Sequence, residues 1–262
     1  MNRIESLFQS KSQNILNVYC TAGYPLLEST VEVMVALQEN GVDMIELGMP
    51  YSDPLADGPV IQQSNMVALQ NGMTIQKLFE QLKDFRHTVY LPVLLMGYMN
   101  PVIQYGFEKF CQHAAALAID GLILPDLPLF EYETEYGPLI QKYGLSFVFL
   151  VTPETAEHRI RKIDELSSGF IYAVSSSSTT GKDTNVSGQQ VYFERLKQMK
   201  LRNPILVGFG IKDKKSFDTA CENVNGAIIG SAYIKSLEAG NDIKAATKSF
   251  LDPIINAAVA KM

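Results

Sequence analysis

Ile15-Leu-Asn-Val-Tyr-Cys20-Thr21-Ala-Gly-Tyr-Pro25 decides the fold. Ile15–Cys20 reads as a buried strand, a nearly unbroken apolar run of the kind found where both faces of a sheet are covered. A doubly wound open sheet would carry a glycine-rich dinucleotide fingerprint directly after this strand, and Thr21-Ala-Gly-Tyr-Pro25 is not one. Seven further strand-like runs follow, at Asp43–Leu47, Val93–Gly97, Gly121–Leu124, Ser146–Val151, Phe170–Val174, Ile205–Gly208 and Ala227–Gly230. Between and after them lie helical patterns at Glu28–Glu39, Ile75–Phe85, Phe107–Ala118, Glu133–Tyr143, Glu154–Leu166, Val191–Lys200, Lys214–Cys221 and Ile243–Ala258, the last expected to kink or restart at Pro253. Eight βα units in 262 residues predict an α/β fold, a single (β/α)8 TIM barrel domain over residues 1–262. The amino-terminal Met1-Asn-Arg-Ile-Glu-Ser-Leu-Phe8 adds a short amphipathic helix.

Composition excludes other classes. No apolar run approaches the roughly 20 residues a membrane span needs. The amino terminus carries an acid and lacks the sustained hydrophobic core of a secretory signal. Net charge is −6 without a basic block, which argues against nucleic acid as a partner. Cys20, Cys111 and Cys221 are odd in number and far apart, which fits a reduced, cytoplasmic protein. None of His87, His113 and His158 stands at metal-ligand spacing, and His113 and His158 read as helical and solvent-facing; no metal is expected.

In a barrel the chemistry gathers where strands end and helices begin. The second strand leads into Glu46-Leu-Gly-Met-Pro-Tyr-Ser-Asp53-Pro54-Leu-Ala-Asp57-Gly58, three acids in a loop stiffened by proline. A carboxylate on an apolar strand is costly to bury unless it has a partner or a task. The last strands end in Ser175-Ser-Ser-Ser-Thr-Thr180-Gly181, Gly208-Phe209-Gly210 and Gly230-Ser231, where hydroxyls and exposed backbone N–H groups suit an anion. Phosphate sites after the seventh and eighth strands recur in such barrels, so a phosphorylated substrate is expected. No strand run has an interior lysine, which separates the chain from Schiff-base aldolase barrels. A phosphosugar or aminated-ribotide isomerase, with paired acids and the same phosphate site, is one alternative. A non-catalytic scaffold that docks a partner through its proline corners is another, though it gives no reason for Glu46 and Asp57 to face one pocket.

Glu46–Gly58, with Gly208-Phe209-Gly210 and Gly230-Ser231, resembles the tryptophan synthase alpha subunit family, and the similarity runs from Tyr19-Cys-Thr-Ala-Gly23 to the last strand. The resemblance implies a lyase that cleaves indole-3-glycerol phosphate to indole and glyceraldehyde 3-phosphate. It implies Glu46 and Asp57 as the catalytic acids, Tyr172 on the sixth strand as a substrate-site neighbour of Glu46, and Tyr19, Met96 and Phe209 around the indole. Phosphate contacts would fall on Gly181, Gly210, Gly230 and Ser231, and Thr180 would contact Asp57 as its loop closes. Ser176, Ser177 and Ser178 stand where the family usually carries a glycine, which bears on how that loop closes. The resemblance also implies a beta subunit that holds pyridoxal phosphate, with no cofactor in this chain. Together they would form an alpha2-beta2 hetero-tetramer joined through Asp53, Pro54, Asn100, Asp126 and Pro128.

Overall fold

The computed structural model describes residues 2–174, 186–208, 210–238 and 242–255, without the side chains of 186–190. Its strands are β1 (Ile15–Thr21), β2 (Met44–Gly48), β3 (Val93–Met96), β4 (Gly121–Ile123), β5 (Ser146–Phe147), β6 (Leu150–Val151), β7 (Ile171–Val174), β8 (Ile205–Gly208) and β9 (Gly226–Ile229). They lie in the order β5-β4-β3-β2-β1-β9-β8-β7-β6, with each neighbouring pair parallel. The predicted strand Ser146–Val151 is present in two halves, β5 and β6. The first half pairs with β4 and the second with β7. Val148 N–H donates to Leu122 O and Tyr172 N–H to Phe149 O, both at 3.0 Å, so the ladder continues through the gap. The sheet therefore closes into the expected eight-stranded barrel, as twisted and tilted parallel strands do.

Helix α1 (Arg3–Ser10) precedes β1, and the helices that follow are α2 (Ser29–Glu39), α3 (Pro59–Gln70), α4 (Ile75–Gln81), α5 (Met99–Tyr105), α6 (Phe107–Ala116), α7 (Leu129–Glu131), α8 (Gly137–Lys142), α9 (Glu157–Leu166), α10 (Val186–Gln198), α11 (Lys214–Cys221), α12 (Ser231–Glu238) and α13 (Ile243–Ile255). Several differ from the sequence patterns for local reasons. The pattern at Glu133–Tyr143 is a π turn, Tyr132–Tyr136, running into α8, because Pro138 has no N–H to continue the ladder. Pro253 stands inside α13 instead of restarting it, and residues 256–258 lie outside the described chain. Helix α3 had no apolar signature, because its buried stripe of Ile61, Ser64, Asn65 and Ala68 has helical spacing but is half polar. His113 is half-buried, not solvent-facing: its Nδ1 lies 2.7 Å from the Tyr105 hydroxyl and its ring packs on Phe79. No helix among the described residues is long and apolar enough to cross a membrane.

Helix α1 seals the amino-terminal end of the barrel. Asn2 and Glu5 form a reciprocal capping box, Ile4 is fully buried, and Phe8 meets Phe170 at 6.3 Å between ring centroids. Beside it Asp120, at the start of β4, holds Arg3 at 3.1 Å and Arg86 at 2.6 Å. The opposite end, at the carboxyl ends of the strands, is open.

Candidate active site

The seven residues of β1 are all buried, and alternation puts Asn17 and Tyr19 on one face of the strand. In the β1–β2 register Tyr19 lies opposite Glu46. Tyrosines at this end of the barrel need room. A Cβ on Gly48 would overlap the Tyr19 hydroxyl, and one on Gly208 would overlap that of Tyr172, so glycine at these two strand ends admits the two rings. Thr21 Oγ1 reaches the Tyr19 hydroxyl at 3.3 Å and Ser64 Oγ at 2.7 Å, which ties the phenol to α3.

Glu46 is fully buried. Its Oε1 accepts a 2.6 Å hydrogen bond from Asn17 Nδ2, and its Oε2 has no partner among the described residues. Burial pushes its pKa up to about 8, and the hydrogen bond from the Asn17 amide pulls the other way. Asp57 is 9% exposed, and its Oδ2 accepts from the Tyr98 hydroxyl at 2.9 Å. Burial raises it to about 6, against the lowering effect of that bond. The Tyr98 hydroxyl also accepts from Ala56 N–H at 3.1 Å, and its ring rests on Tyr51. The loop that carries Asp57 is thus tied to the segment after β3. Neither carboxylate has a salt bridge among the described residues. Their environment does not favour the charged form, so both are poised to titrate near neutrality.

A cavity of 350 Å³ brings Glu46, Asp57, Tyr19, Met96, Tyr172, Gly210, Gly230 and Ser231 together. Ile61 and Ile228 add to its apolar wall. At its other side the amino terminus of α12 begins at Ser231, next to the lysines Lys212 and Lys235, a setting that favours an anion. Thr180, Gly181 and Phe209 lie outside the described residues, as does the Ser175–Ser178 tract. The sequence reading missed Asn17, Tyr98, Lys212 and Lys235. Tyr98 had a signal, since Met96-Gly-Tyr-Met-Asn100-Pro ends a strand; Asn17 looked like any polar break in an apolar run.

The residues expected at a partner surface are placed differently from one another. Asp53, Asn100, Asp126 and Pro128 are exposed, whereas Pro54 is buried and Leu55 beside it is 87% exposed. Asp126 also accepts the Met99 N–H with both carboxylate oxygens at 3.0 Å, capping α5.

The family described as tryptophan synthase alpha chain matches residues 6–257. The chain belongs to the tryptophan synthase alpha chain family. As a member of that family it is a lyase. It is 49% identical to the tryptophan synthase alpha chain of Bacteroides fragilis over 258 residues, covering 98% of this chain and 97% of the relative. It is 52% identical to that of Flavobacterium johnsoniae over 238 residues, covering 90% and 94%. Among solved structures, the tryptophan synthase alpha chain of Legionella pneumophila superimposes with a TM-score of 0.89 at 33% identity, covering 100% of each chain. A chain of the tryptophan synthase complex of Pyrococcus furiosus does so at 0.85 and 33%, covering 94% of this chain and 99% of that one.

Proposed function

We propose that the chain cleaves indole-3-glycerol phosphate to indole and glyceraldehyde 3-phosphate, with Glu46 moving the protons and Asp57 supplying fixed charge. The observation that carries this reading is that two buried carboxylates, titrating near 8 and 6 and without a salt bridge among the described residues, share one cavity. Near neutral pH Glu46 is protonated and Asp57 is ionised. Glu46 gives its proton to indole C3, forming the new C–H bond from the ring's π electrons. Asp57 accepts a hydrogen bond from the ring N–H, where positive charge develops. The Glu46 carboxylate then takes the proton of the side-chain hydroxyl, the carbon–carbon bond breaks, and its electron pair returns to the ring. Glu46 ends protonated, as it began.

The walls formed by Tyr19, Met96, Tyr172, Ile61 and Ile228 suit a flat aromatic ring, and Gly210, Gly230, Ser231, Lys212 and Lys235 suit the phosphate. Phe209, Thr180 and Gly181 take the roles the family resemblance gives them. We further propose that residues 1–262 act as one barrel domain in the cytoplasm, in an alpha2-beta2 hetero-tetramer whose beta subunit holds the pyridoxal phosphate and receives the indole. Support for the docking face comes from Leu55, Ile103 and Phe130, which are 87%, 50% and 72% exposed on segments after β2, β3 and β4. Apolar side chains on the segments after three neighbouring strands, with Asp53, Asn100, Asp126 and Pro128 exposed on the same segments, are the composition of an interface.

The test is indole release from indole-3-glycerol phosphate by the purified chain, alone and with a beta subunit. Release that the beta subunit accelerates is expected. No release in either condition, with turnover of an aminated ribotide or a phosphosugar instead, would replace this reading with that of an isomerase. Equal turnover with and without the beta subunit would sink the partner dependence.

A further inference from the structure

Asn17 is fully buried on β1, within 2.6 Å of the catalytic carboxyl, and has no role in the chemistry above. Its Nδ2 donates to Glu46 Oε1, while Glu46 Oε2 and Asn17 Oδ1 are both buried with no partner among the described residues. Buried polar atoms are ordinarily paired, and an orphan at a reacting group marks where a ligand atom completes the set. We propose that Asn17 is a positioning residue that pins Oε1 of Glu46 and so reserves Oε2 as the oxygen that exchanges the proton with the substrate.

The reason is the direction of the hydrogen bond. An amide N–H can engage only a lone pair, so Oε1 accepts from Asn17 whether Glu46 is ionised or neutral. The carbonyl oxygen of a neutral acid is a better acceptor than its hydroxyl, so a donor on Oε1 favours the proton on Oε2. On transfer the Oε2–H bond breaks as the C3–H bond of the indole forms. The carboxylate left behind regains a proton at Oε2 from the substrate hydroxyl, with no rotation of the side chain between the two steps. Holding one oxygen fixed keeps the other aimed, which is what a group serving as acid and then base requires.

The other groups facing Glu46 do not compete for Oε1. Cys20 on β1 is pushed up to about 12 by burial and by Glu46 itself, and the Tyr172 phenol on β7 is raised by burial and by Glu46 and Asp57, so both stay neutral. On β3 the register partner of Glu46 is the apolar Leu94. Asp57, Lys212 and Lys235 line the same cavity.

This inference rests on Glu46 as the proton carrier, and its test separates the two. Chain carrying 13C-labelled glutamate is titrated by NMR, the Glu46 signal being the one lost in Glu46→Gln. The wild-type carboxyl should titrate near 8. In Asn17→Leu, of the same branched shape but without a donor, it should titrate about one pH unit higher, with kcat lower on the order of tenfold and KM nearly unchanged. Asn17→Val also lacks a donor and cannot ionise, so it should raise the titration likewise and serves if the leucine variant folds poorly. A space-filling role predicts an unmoved titration in Asn17→Leu, and that result, or a rise in KM at constant kcat, would overturn the proposal. A titration that moves in a chain releasing no indole would overturn the reaction and leave the coupling of Asn17 to Glu46 in place.

Discussion

Asp120, just before β4, and Glu46, on β2, are both buried carboxylates, and the barrel treats them in opposite ways. Asp120, at the sealed end, is 3% exposed and divides its oxygens between Arg3, Arg86 and the Val93 N–H. Glu46, at the open end, is fully buried with one amide and one oxygen left over. Charge pairing makes Asp120 a fixed brace, since removing one partner of a buried ion pair strands the other. Withholding a cation suits Glu46 to the proton-carrying role proposed for it, since burial then favours the neutral acid. The same residue class does structural work or chemistry according to whether its charge is met. Asp57 belongs with Glu46, tempered by the Tyr98 hydroxyl.

Substitutions at the two ends should therefore fail differently. Glu46→Gln and Asp57→Asn should each lower indole release on the order of 100- to 10,000-fold while the unfolding midpoint in urea holds or rises. Asp120→Asn should lose about 3 kcal/mol of stability, read from urea unfolding, while turnover per folded molecule persists. An inactive but stable Asp120→Asn would break the comparison.

Stability against pH sharpens it. The folded pKa of Glu46 lies above its unfolded value of 4.5, so the folded chain binds this proton more tightly. Its contribution is fully present below about 4.5 and is lost as pH rises towards 8, on the order of 5 kcal/mol across that span. Asp57 adds a smaller loss of the same sign between 3.8 and about 6. Urea unfolding at pH 5 and pH 8 should therefore show a fall in the wild type that is much reduced in Glu46→Gln. Tyr98→Phe is a milder change. Without its hydroxyl the Asp57 carboxylate loses a donor, so indole release should fall roughly tenfold at neutral pH. The smallest effect concerns the docking face: Leu55→Asp should leave lyase turnover of the isolated chain unchanged and weaken its response to a beta subunit, measured by titrating that subunit into the assay.

The barrel was legible because its strands are short apolar runs, each ending in glycine, proline or polar residues, and the acids of Glu46–Gly58 stood out against that background. The split of Ser146–Val151 into β5 and β6 was not legible, because nothing in the run marks the point where it stops pairing with one neighbour and starts with the other. Helix α3 was hidden by Ser64 and Asn65 on its buried side. Asn17 acquires meaning only when the β1–β2 register brings it beside Glu46, a contact 29 residues distant in sequence. Lys212 and Lys235 belong to a site only once β8, β9 and α12 converge on one cavity. Local patterns reported the elements, whereas long-range pairing decided which polar residues meet.

The central claim is that burial without a countercharge sets the two acids to opposite protonation states at neutral pH. The pH profile of kcat/KM for indole release by the isolated chain tests it most directly. The predicted profile is a bell, rising through about 6 as Asp57 ionises and falling through about 8 as Glu46 loses its proton. Activity that stays level from pH 5 to pH 9 would contradict it.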